Sequence, residues 1–111
     1  MIDGEVDFDS GKKLVHSGSK VYVFINSFAD LEPVKEAFGE GEISDIDLAE
    51  ARGIMFEQSK QSADDMKGRF DNSLIVCPHG RSSLRFVQAL AGYGVKAYSL
   101  HGGIEGLRSR S

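Results

Sequence analysis

Two short apolar runs limit what this chain can fold into. Lys20 to Asn26 reads Lys-Val-Tyr-Val-Phe-Ile-Asn, and Leu74 to Val76 reads Leu-Ile-Val. Neither is long enough for a helix, and neither alternates with polar residues as a strand with one wet face would. Strands of this kind are buried on both faces, which is the condition of a parallel sheet sandwiched between helices.

The segments around these runs carry helical spacing. Ser27 is placed to cap a helix to about Phe38, with Leu31, Val34 and Phe38 on one face and Gly39 at the stop. Ser62 caps a second helix through Met66 to Phe70, and Leu84, Val87 and Leu90 mark a third from about Ser83 to Ala91. Val6 to Phe8 reads as an edge strand, with Asp9 or Ser10 capping a small helix that carries Leu14 and Val15. Val95 to Leu100 reads as a late strand, followed by a His101-Gly102-Gly103 turn and a short helix from Ile104. Two segments admit more than one reading. Glu42 to Leu48 is either a strand or, with Ser44 and Asp47 as a capping box, a helix ending before Gly53. Ile54 to Phe56 is either a strand or a buried turn. Strands alternating with helices predict βαβ crossovers. The expectation is one α/β domain over residues 1–111, with a central, mostly parallel sheet and helices on both faces.

In such sheets ligands bind beyond the carboxyl ends of the strands. Cys77, the only cysteine, stands at one of those ends. A polar loop follows it, Pro78-His79-Gly80-Arg81-Ser82-Ser83, and then the third helix. The order strand, cysteine, loop, helix aims backbone N–H groups and a positive helix end at the sulfur. Together with Arg81 and His79 they favour the thiolate, which is the reactive form. Gly80 supplies the dihedrals of a tight loop, Pro78 restricts its first step, and Ser82 or Ser83 can cap the helix. Free cysteine is also among the most buried residue types, so an inert core thiol is the plain alternative. A polar, glycine-containing loop is a poor neighbour for inert core.

The loop Cys77-Pro78-His79-Gly80-Arg81-Ser82-Ser83 resembles the active-site loop of rhodanese-family sulfurtransferases, in the Cys-x-His-Gly-x-Ser-Ser form of small single-domain members. Ala89 to Val95 and Leu100 to Ile104 resemble the family's following helix, strand and Gly-Gly turn, so the likeness covers about Ser73 to Arg108. Upstream it is weak: the strand ending Phe24-Ile25-Asn26-Ser27-Phe28 lacks the family's Asp-x-Arg, and Gly41 to Ile46 only echoes its Gly-His-Ile-Pro-Gly-Ala stretch. The resemblance implies a rhodanese-like domain in which Cys77 takes sulfane sulfur from a donor such as thiosulfate and passes it on from a persulfide. The implied partners are a small anionic sulfur donor and a sulfur-accepting protein or small thiol. Pro78, His79, Gly80, Arg81, Ser82 and Ser83 would line the site, with Arg81 drawing the anion in. By its position His101 is either a residue approaching the same pocket from the next strand's end or, the stronger reading, a turn residue before two glycines.

Other chemistries fit less well. Phosphatases of related architecture place an arginine six residues after the cysteine to grip phosphate bidentately. Here that position is Ser83, so phosphatase or arsenate-reductase activity is a minor alternative. A binding or regulatory module without turnover is the other. Gly92-x-Gly94-x-x-Ala97 follows a helix and precedes a strand, the reverse of a dinucleotide fingerprint. Three histidines far apart make no metal site. Neither metal nor cofactor is predicted.

Composition agrees with this and narrows it. At 111 residues, 41% hydrophobic and 27% charged, the chain can bury a core without disulfides. A lone thiol, and an N-terminus without the basic start and apolar run of a signal peptide, predict the cytoplasm. No apolar stretch approaches the length of a membrane span. Net charge is −4 overall, but from Asp71 onward five cations (Arg81, Arg85, Lys96, Arg108, Arg110) face only Asp71 and Glu105. That part is +3 and the remainder −7, which suits an anionic substrate near Cys77. No basic run suggests nucleic acid.

Overall fold

A computed structural model describes residues 3–25, 27–56 and 62–110. Its core is a five-stranded sheet in which every pairing is parallel. The strands are β1 (Glu5–Val6), β2 (Val21–Phe24), β3 (Ile43–Ile46), β4 (Leu74–Val76) and β5 (Tyr98–Leu100), in spatial order β1-β5-β4-β2-β3. Six α-helices accompany them among the described residues: α1 (Phe8–His16), α2 (Leu31–Phe38), α3 (Leu48–Phe56), α4 (Ala63–Phe70), α5 (Arg81–Ala91) and α6 (Gly103–Arg110).

Strand alternation sorts the side chains onto two faces. Val21 and Val23 of β2 and Leu74 and Val76 of β4 join Val15, Val34, Phe38, Ile104 and Leu107, under α1, α2 and α6. Phe24, Ile75 and Cys77 join Ala51, Ile54, Met66, Phe70, Phe86 and Leu90, under α3, α4 and α5. Helices therefore cover both faces, as the uninterrupted apolar runs require. On the second face Phe86 meets Phe24 and Phe70 edge-on, each with ring centroids 5.2 Å apart. That geometry sets a positive ring edge against a negative face.

Local signals explain most boundaries. Ser62 caps α4 by accepting the Asp65 N–H. Ser27 and Asp30 form a capping box around a 3₁₀ turn, Phe28–Asp30, that leads into α2. The strand expected over Lys20 to Asn26 is observed as Val21–Phe24; Asn26 lies outside the described residues. Three expectations need correction, and one open segment is decided. Phe8 is not in the edge strand but opens α1, and the cap is Asp7 rather than Asp9 or Ser10. Of the two readings of Glu42 to Leu48 the strand is the one observed, as Ile43–Ile46 paired along its length with β2, while Leu48 opens α3. Ile54 to Phe56 is neither strand nor buried turn: the helix runs through Gly53 to Phe56, because Ala51 and Ile54 bury completely and outweigh the roughly 1 kcal/mol that a mid-helix glycine costs. β5 begins only at Tyr98, where pairing with Leu74 starts; Val95 and Ala97 are buried without joining the sheet.

Asp7 gives the fold a pH dependence. Its carboxylate accepts the Ser10 N–H at 2.8 Å. That backbone bond, and then the Ser10 hydroxyl, hold Asp7 below its usual value of 3.8. A carboxylate depressed on folding adds stability that is present above the usual value and is lost as pH falls through the lowered one. Asp7→Asn keeps a capping oxygen but cannot titrate. Urea midpoints measured from about pH 5 to about pH 2.5 should fall further for the parent than for Asp7→Asn. Parallel curves would remove this role.

Candidate active site

Cys77 follows directly on β4, and its side chain lies on the α5 face because it continues the alternation begun by Ile75. The residue is 1% exposed. Its Sγ accepts the N–H of Gly80 at 3.0 Å and the N–H of Ser83 at 3.2 Å. Gly80 is the N-cap of α5, with φ of 87°, and has no side chain to cap with. The sulfur therefore takes the part of a capping oxygen, accepting the third helical N–H. This corrects the expectation that Ser82 or Ser83 caps the helix and that the helix begins at Ser83. The first turn starts at Arg81, and its unspent N–H groups and dipole face the loop. Two N–H donors and a helix start therefore converge on the sulfur.

The loop is also held from the other side of the sheet edge. Its first two carbonyls, Cys77 and Pro78, accept N–H groups from Ile104 at 2.9 Å and Glu105 at 3.0 Å in the first turn of α6. Gly102 (φ 81°) and Gly103 (φ 58°) make the turn that permits this approach. A Cβ on Gly103 would overlap the Cys77 carbonyl oxygen and stand 2.7 Å from the Gly80 nitrogen. The Cys77 loop and the Gly-Gly turn thus form one backbone unit.

The expected site residues separate into two groups. Cys77, Gly80 and Ser83 are buried and joined by the two N–H···S bonds. His79, Arg81 and Ser82 are exposed, and among the described residues none of their side chains bonds to the sulfur; Pro78 is half-buried. His101 stands in the turn before the two glycines, as its stronger reading had it, and its Nδ1 lies 3.2 Å from the carboxylate of Glu5 in β1. Two tertiary partners escaped the sequence. One is the α6 turn that grips the loop. The other is Ser99, whose hydroxyl lies 2.7 Å from that of Ser83 with both residues fully buried. The only sequence signal for Ser99 is a polar residue inside an otherwise apolar strand.

The remaining surroundings define what the site can do. No group of three or more His, Cys, Asp or Glu side chains among the described residues could hold a metal ion. None of the described helices is long and apolar enough to cross a membrane. A cavity of about 560 Å³, lined by Gly4, Val87, Ala91, Val95 and Tyr98 among others, opens at the amino ends of β1 and β5, away from Cys77. At the carboxyl edge the arrangement offers one nucleophilic sulfur and a set of N–H donors around it. No protein-family model, no curated protein and no solved structure matches this chain.

Proposed function

We propose that the protein is a rhodanese-type sulfurtransferase that carries sulfane sulfur as a persulfide on Cys77. The observation behind this reading is the pair of loop N–H groups donated to Sγ at the carboxyl end of β4. In the first half-reaction the Cys77 thiolate attacks the outer sulfur of thiosulfate. A new S–S bond forms, the donor's S–S bond breaks, and sulfite leaves with the electron pair. The outer persulfide sulfur inherits the negative charge, and the loop and helix N–H groups stabilise it there. In the second half-reaction a nucleophile such as cyanide attacks that outer sulfur. Thiocyanate forms and the Cys77 thiolate leaves, restoring the resting site. Arg81, exposed at the first position of α5, draws the anionic donor toward the edge. Phosphoryl transfer is less well served, because Ser83 stands where the oxygen-gripping arginine would be needed and its N–H is already given to the sulfur.

The burial of Cys77 favours a second reading, a binding module without turnover, and one experiment separates the two. After treatment with thiosulfate, the intact mass should rise by one sulfur atom and return to its starting value on adding cyanide. An unchanged mass with thiosulfate, polysulfide and a small persulfide donor would defeat the enzymatic reading.

A further inference from the structure

We infer that Ser99 is a positioning residue for Cys77, acting through Ser83 to hold an N–H group against the sulfur. The inference rests on the sulfurtransferase reading only for its consequence in turnover; the geometry stands apart from it. The hydroxyls of Ser83 and Ser99 are 2.7 Å apart, and neither residue has measurable exposure. Ser99 is pinned on both sides. Its N–H donates to the Gly4 carbonyl at 2.7 Å, and it stands in register with Glu5 of β1 and Ile75 of β4.

The helix it grips needs an external reference. α5 starts at a glycine with no capping side chain, so within the loop only the Cys77 sulfur itself holds its first turn over the sheet. A slide of a few tenths of an ångström would lengthen the Ser83 N–H···S bond, now 3.2 Å, and hydrogen bonds weaken with such misplacement. The hydroxyl pair ties that same residue to a central strand and removes the slide. One residue thus carries two bonds, its hydroxyl to the sheet and its N–H to the nucleophile. The charged and titratable groups nearest in the chain to this junction are His79 in the loop, Arg81 and Arg85 on α5, His101 with Glu5, and Glu105, Arg108 and Arg110 on α6. None of them bonds to either serine hydroxyl, so removing the hydroxyls leaves them in place.

The test follows the thiolate directly. Ser99→Ala and the double variant Ser83→Ala with Ser99→Ala are titrated in the full chain by thiolate ultraviolet absorbance. The Cys77→Ser protein serves as the blank for the three tyrosines. With a single cysteine in the chain, the difference signal belongs to Cys77. Both variants should move the absorbance profile to higher pH by about half a unit or more, because a donor to the charged form is weakened. The double variant leaves no hydroxyl orphaned, so its urea midpoint should lie nearer the parent's than that of Ser99→Ala. A folded double variant whose profile superimposes on the parent's would overturn the inference, because a merely structural pair would change stability and leave the profile alone. Sulfur uptake plays no part in this readout. A protein that takes sulfur from no donor therefore defeats the proposed function, while the absorbance profile decides this inference separately.

Discussion

Cys77→Ser is expected to keep the fold and to lose sulfur transfer from thiosulfate to cyanide by about a thousandfold or more. Serine places an oxygen where Sγ now accepts the Gly80 and Ser83 N–H groups, so the capping of α5 survives the change. Its hydroxyl does not ionise near neutral pH, and oxygen cannot hold sulfane sulfur in a labile S–S bond. Stability should change by no more than about 2 kcal/mol, since the buried hydroxyl inherits two donors. Thiocyanate formation and the urea midpoint together make the measurement. Transfer within about tenfold of the parent would mean that the sulfur carrier is not this residue.

Gly103→Ala should be the most damaging small substitution near the site, destabilising by about 3–4 kcal/mol. Two effects add. The residue sits at φ 58°, in the left-handed region that a Cβ disfavours by about 1 kcal/mol. The new methyl would also overlap the Cys77 carbonyl oxygen and crowd the Gly80 nitrogen and the Pro78 carbonyl carbon, all of them backbone. Backbone cannot swing aside as a side chain can, so the α6 turn and the loop must separate. Gly102→Ala is the internal control. Its φ is 81°, but its Cβ would meet only the Gly106 Cα at an ordinary 3.6 Å, leaving the conformational part of about 1 kcal/mol. Urea midpoints of the two variants measure the difference. Equal midpoints would show that the loop and α6 are not in the close contact described.

Comparing sequence with structure shows which physics is local. The runs at Val21 to Phe24 and Leu74 to Val76 announced a parallel sheet because burial on both faces leaves no room for polar alternation. Ser27 and Ser62 announced helix starts because a capping oxygen serves N–H groups two or three residues on. Cys77 was conspicuous for the same local reason: a polar glycine loop stood between strand and helix. What stayed hidden depends on residues far apart in the chain. The helix through Gly53 is decided by burial of Ala51 and Ile54 in the core they share with Phe86 and Leu90. The sulfur's role as the cap of α5 displaced the serines that local preference favoured. His101 faced a choice between the loop and Glu5, and only the pairing of β1 with β5 brings Glu5 within reach.

That same pairing has a consequence for the order in which the molecule can be made. The first strand waits for the fifth, and the cysteine loop waits for the Gly102-Gly103 turn that follows it. As the chain leaves the ribosome, β2, β3 and β4 can assemble while Cys77 still lacks its outer clasp. The backbone of the loop is therefore among the last parts of the site to be fixed, since its first two carbonyls gain their partners only once residues 104 and 105 are in place.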